Sequence, residues 1–128
     1  MIDFQLASFE VASLHSVLET LADEQLDHLD FGVIGFDHHE SVTRYNATES
    51  RLAGLTRERV VGQSLFSVVA PCMNNFLVAQ RFQDAAAAAA SLDDVIDYVL
   101  TLKMRPTKVR LRLLTSPDFA SRYVVVQR

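Results

Sequence analysis

The stretch FGVIGFDHHESVTRYNATE, Phe31 to Glu49, carries the pattern on which the fold turns. An apolar run from Phe31 to Phe36, a polar connection from Asp37 to Ser41 and a β-favouring run from Val42 to Tyr45 read as two antiparallel strands joined by a solvated turn. Asn46, followed three residues later by Glu49, has the spacing of a helix N-terminus, so the chain leaves the hairpin and turns helical.

Towards the N-terminus, Leu14, Val17, Leu18 and Leu21 recur at helical spacing beside the acidic Asp23, Glu24 and Asp27, which predicts short helices packed on one face. Towards the C-terminus, Gly54 and Gly62 punctuate short segments before Ser64 to Val69. Asn75 to Ser91 favours helix, with apolar Phe76, Leu77, Ala79 and Phe82 and an alanine run from Ala85 to Ala90. The period then changes. Val95 to Met104 is β-branched and aromatic, Val109, Leu111 and Leu113 alternate with Lys108, Arg110 and Arg112, and Tyr123 to Val126 supplies a final strand. Helices, two strands, short helices, a longer helix and three strands predict an α+β fold built on one antiparallel sheet.

Composition narrows the function classes. A chain of 128 residues, 49% hydrophobic, fits one compact domain. The formal net charge of −4 argues against a nucleic-acid ligand, which is bound by neutralising phosphates with clustered Lys and Arg. The start MIDFQLASFE has acidic residues where a signal peptide needs basic ones, and no apolar run approaches the ~18 residues of a membrane span, so a cytoplasmic protein is expected. The single cysteine, Cys72, excludes an intramolecular disulfide and leaves its sulfur to a small molecule, a metal or a second chain.

Each candidate residue has a structural reading beside a functional one. Cys72 is either a small buried hydrophobe or an attachment point, and enzymatic use of it as a nucleophile would need a base, while no histidine lies near it in sequence. Glu49 either closes a capping box with Asn46 and faces water, or turns inward with Tyr45, four residues upstream and on the same side if the turn is roughly helical. Inward, a tyrosine and a protonated carboxyl would supply the hydrogen bonds that a buried anion requires. Tyr45 is otherwise a strand-end aromatic reaching solvent, and Met104 a gap-filler in the core. His38 and His39 are adjacent in a turn and point apart, so they do not make a metal site, and His15 and His28 read as surface residues.

Three segments in order, Tyr-Asn-Ala-x-Glu at Tyr45 to Glu49, Val-Ala-Pro-Cys at Val69 to Cys72, and Met-x-Pro-Thr-Lys-Val at Met104 to Val109, resemble the photoactive yellow protein family of PAS-fold blue-light receptors. The resemblance runs from about Leu26 to the C-terminus. It implies a PAS core over residues 26–128, with a five-stranded antiparallel sheet, short helices on one face and an N-terminal cap over residues 1–25. It also implies 4-hydroxycinnamic acid (p-coumaric acid) as a thioester on Cys72, with Tyr45 and Glu49 hydrogen-bonded to its phenolate. Ala53, Leu55, Leu65, Val69, Ala70, Leu100 and Met104 would line the pocket, Met104 assisting thermal return. Where this chain has Ala53, Leu55 and Leu65, the family commonly has threonine, arginine and an aromatic, which implies an altered but still apolar pocket. Implied with these are an unidentified downstream signalling protein, a monomer or weak dimer, and neither enzymatic activity nor a membrane partner.

Overall fold

The computed structural model describes residues 8–101 and 105–128. Two short N-terminal helices, α1 (Leu14–Thr20) and α2 (Asp23–Leu26), precede strands β1 (Gly32–Phe36) and β2 (Val42–Tyr45). Helices α3 (Ala47–Ala53) and α4 (Arg57–Val60) follow, then a π-helical turn at Leu65–Val69 and a 3-10 turn at Pro71–Met73. Helix α5 (Ala79–Ala87) leads into β3 (Leu92–Leu100), β4 (Thr107–Thr115) and β5 (Arg122–Gln127). The strands form one five-stranded sheet in the order β2-β1-β5-β4-β3, every neighbouring pair antiparallel. This is the α+β architecture that the change of period predicted.

Both sheet faces are covered, which is why β1 is apolar throughout instead of alternating. Ile34, Phe36, Leu111, Leu113, Val124 and Val126 pack with Tyr45, Leu65, Phe66, Val69 and Phe82 under the short helices. The alternate positions Val33, Tyr123 and Val125 pack with Leu14, Leu18, Leu21 and Leu26 under the N-terminal segment. The period-2 geometry of a strand lets β1 and β5 serve both clusters.

Three sequence expectations need correction. The helix foreseen from Asn75 begins at Ala79, because the Asn75 side chain accepts hydrogen bonds from the Leu77 and Val78 amides and so holds a turn that competes with helix. Strand β3 begins at Leu92 rather than Val95, since Leu92 to Asp94 pair with Thr115 to Leu113. His15 is buried, not at the surface: its Nε2 lies 2.8 Å from the Ser121 carbonyl oxygen and its ring meets the Tyr123 ring edge-on. Met104 lies outside the described residues.

Candidate functional site

The site begins where β2 hands over to α3. Asn46 is the N-cap of α3, its side-chain oxygen accepting from the Glu49 amide at 3.0 Å and from the Val33 amide at 2.9 Å. Its side-chain amide donates to the Leu26 and Phe31 carbonyls. Asn46 alone therefore performs the cap, and the Glu49 carboxylate is left to turn inward, where its side chain is 2% exposed. The inward alternative, not the solvent-facing capping box, is what the chain adopts.

The inward carboxylate lies directly over Gly32 of β1, where a Cβ would stand 2.0 Å from Glu49 Oε1. A glycine inside a strand marks such a close approach. In the sheet Gly32 is paired with Val126, and two residues further along the same face Arg128 reaches back to Glu49. Its Nη1 donates to Oε1 at 2.7 Å and its Nη2 to Oε2 at 3.2 Å. Burial pushes the Glu49 carboxyl above its ordinary value, and the Arg128 guanidinium opposes that rise.

Tyr45 ends β2 buried, with 3% of its surface exposed, and not as a solvent-reaching strand-end aromatic. Burial first, and the charge of Glu49 second, raise its pKa, which keeps the phenol protonated and able to donate. A buried phenol close enough to feel the charge of a buried carboxyl sets two ionisable groups against one apolar core.

Cys72 sits in the 3-10 turn with its side chain half-buried against the cluster that holds Tyr45, Leu65, Val69, Ala70 and Leu100, and Leu55 packs against that cluster as well. The Cys72 carbonyl accepts from the Tyr98 hydroxyl at 2.6 Å and from the Asn75 side chain at 3.2 Å, tying this turn to β3. Ala53 is buried at the end of α3 and, with Leu100 and Arg128, borders a cleft of about 360 Å³. Of the pocket residues expected from sequence, Tyr45, Leu55, Leu65, Val69, Ala70, Cys72 and Leu100 thus meet in or on one core cluster. Glu49 and Ala53 approach it from α3. Elsewhere, the His38 and His39 rings do not point apart as expected but meet at 3.9 Å between centroids, tilted by 41°, and among the described residues no group of His, Cys, Asp and Glu could hold a metal ion.

Two members of the site escaped the sequence reading. Gly32 carried a signal, an isolated glycine in an apolar strand, but its meaning depends on which side chain lies above it. Arg128 carried none, because 79 residues separate it from Glu49 and only sheet register brings them together.

Comparison with known proteins agrees with this fold. Residues 26–121 match the family model described as PAS fold. A photoactive yellow protein of Rhodothalassium salexigens is 28% identical over 97% of this chain and 98% of the relative. That of Halochromatium salexigens is 29% identical over 96% and 98%. The crystal structure of the photoactive yellow protein domain from the sensor histidine kinase Ppr of Rhodospirillum centenum superposes with a TM-score of 0.80 and 32% identity, covering 88% of this chain and 98% of that one. No helix among the described residues is long and apolar enough to cross a membrane. With its five-stranded antiparallel sheet, its inward Tyr45 and Glu49 and these relatives together, the chain belongs to the PAS-fold family as a member of its photoactive yellow protein group, a sensory module and not an enzyme.

Proposed function

We propose that this sensory module is a blue-light receptor carrying 4-hydroxycinnamic acid as a thioester on Cys72, its phenolic oxygen held by Tyr45 and Glu49. The observation that carries the reading is the buried, protonated Tyr45 phenol close to a carboxyl that is 2% exposed, a pair suited to one anionic oxygen. The half-buried position of Cys72 against the same cluster supports attachment there. Attachment is a thioester exchange: the Cys72 sulfur takes the acyl group from an activated hydroxycinnamoyl thioester, and the donor's thiol leaves with the proton. When bound, the hydroxycinnamoyl group supplies absorption of visible light and an isomerisable double bond.

The chain's own residues do the rest. Tyr45 donates from its hydroxyl, Glu49 holds a proton on its carboxyl, and the apolar side chains of Leu65, Val69, Ala70 and Leu100 exclude water. Loss of the proton from Glu49 to the oxygen it faces leaves a buried carboxylate whose counter-charge is Arg128, and this redistribution of charge loosens weakly held structure around it. The expected readout is a partner protein that recognises the loosened form in the cytoplasm.

The test is reaction of the purified protein with activated 4-hydroxycinnamic acid, with Cys72→Ala as control. A mass increase of one acyl group together with a visible band that blue light reversibly bleaches, both lost in Cys72→Ala, is the expected result. A protein that forms no coloured adduct would be a PAS ligand-sensing or interaction module without photochemistry, a reading that Ala53 and Leu55 in the pocket favour.

A further inference from the structure

We propose that Arg128 is the counter-ion of the anion bound beside Tyr45 and Glu49, so that the occupied site contains one guanidinium and a single proton for which Glu49 and the ligand oxygen compete. The inference rests on the reading of the preceding section and adds to it a residue and a charge rule.

The geometry is that of a two-pronged pair, Nη1 to Oε1 at 2.7 Å and Nη2 to Oε2 at 3.2 Å, which fixes the plane of the carboxylate as well as neutralising it. The side chain of Arg128 is 18% exposed against 2% for Glu49, so the guanidinium forms the wall between the buried carboxylate and the open cleft. Arg51 and Arg105 border the same cleft as Arg128, alongside Ala53 and Leu100. Around Glu49, β2 contributes the neutral Tyr45, β1 contributes Gly32 with no side chain, and the residue following β5 is Arg128. Arg57 donates to the Tyr45 carbonyl and is paired with Asp27. Among the described residues, Arg128 is thus the cation that touches the site, and Arg51 and Arg105 raise the positive potential behind it.

Charge balance then determines the protonation. An ionised Glu49 with Arg128 sums to zero, whereas an anionic oxygen added beside them leaves two buried anions on one cation. Retaining one proton restores neutrality, and the arrangement of lowest cost has the proton on Glu49, which donates to the ligand oxygen while Arg128 balances the remaining charge. Removing the guanidinium must therefore raise both pKa values, that of Glu49 in the free protein and that of the ligand phenol in the adduct.

The decisive experiment follows both in wild type, Arg128→Gln and Arg128→Lys. Glu49 is titrated in the free protein by its carboxyl infrared band, with Glu49→Gln identifying the band. The phenol is titrated by visible absorption in the adduct formed on Cys72. Arg128→Gln should raise each by about one to three pH units, as expected for loss of an opposite charge within a few ångströms, with Arg128→Lys between it and wild type. Curves for Arg128→Gln that superimpose on wild type overturn the proposal. If no variant forms an adduct, the photoreceptor reading fails, and binding of free 4-hydroxycinnamate to wild type and Arg128→Gln decides the counter-ion: about tenfold or more weaker binding to the variant supports it, and equal binding overturns it.

Discussion

At Gly32 the whole site depends on a missing methyl group. A Cβ there would lie 2.0 Å from Glu49 Oε1 and 3.1 Å from Glu49 Cβ, so the neighbour that must move is the one whose carboxylate is pinned by Arg128. Gly32→Ala should expel Glu49 from its position and cost about 2–4 kcal/mol of stability, an overpacking penalty increased by a broken buried pair. Urea unfolding measures the loss, and a Glu49 infrared band unchanged from wild type would count against the displacement. The carboxyl itself makes a second prediction. Burial raises its pKa above the ordinary 4.5 despite Arg128, so the folded protein holds this proton more tightly than the unfolded chain does. Stability should therefore be fullest below about 4.5 and fall as pH rises from there through the native pKa. Glu49→Gln should lack that component of the slope; parallel pH profiles of the two proteins would disprove it. Tyr45 and Glu49 could be singled out beforehand because Tyr-Asn-Ala-x-Glu resembles a family motif, while their four-residue spacing alone left a solvent-facing capping box open. Arg128 was not, because its role comes from register across β1 and β5.

Among the elements, the N-terminal helices are too short to hold themselves, α1 having seven residues and α2 four. Two arginines on the sheet face fasten them instead. Arg44 of β2 donates to the Leu18 and Leu21 carbonyls and the Tyr123 hydroxyl, and its Nε pairs with Asp23 at 2.9 Å. Arg112 of β4 donates to the Phe9 and Val11 carbonyls while gripping both oxygens of Asp93. The alternation of Val109, Leu111 and Leu113 correctly placed Arg112 on the opposite face, but could not show that this face is roofed, leaving Arg112 only 5% exposed. Replacing Arg112 by Ala takes the donor from the Phe9 carbonyl, while the Val11 carbonyl still accepts from the Leu14 amide, and should cost about 2–3 kcal/mol, below the full cost of breaking a buried pair because Asp93 reaches solvent. Amide exchange should accelerate first in residues 8–21; acceleration spread evenly over the sheet would show that Arg112 supports the core and not the cap. The boundaries of α5 and β3 were misjudged for a related reason. Asn75 prefers its own turn and β4 recruits Leu92, and neither preference can be seen in a propensity window.

For the whole molecule, the question is how a charge at Glu49 reaches the N-terminal cap on the other side of the sheet. The first turn of α3 is tied to the segment that joins cap and sheet: Asn46 donates to the Leu26 and Phe31 carbonyls, the Ala47 amide donates to Asp27 at 2.8 Å, and the Thr48 hydroxyl donates to the Leu29 carbonyl. Since Asn46 also caps the Glu49 amide, movement of α3 that accommodates an unneutralised carboxylate pulls on residues 26–31, from which α2 and α1 hang. The sheet, by contrast, is held by ladders on both sides of β1, β5 and β4 and gives least. Arg128→Gln strands the carboxylate without any ligand and so isolates this coupling in the free protein. Above the native pKa of Glu49, that variant should lose amide protection in residues 14–29 while β4 and β5 keep theirs. The double variant Arg128→Gln, Glu49→Gln, which removes the charge along with its partner, should regain the protection. If the single variant loses protection evenly throughout, or the double variant fails to recover it, the connection from Glu49 through Asn46 to the cap is not the route by which charge moves structure.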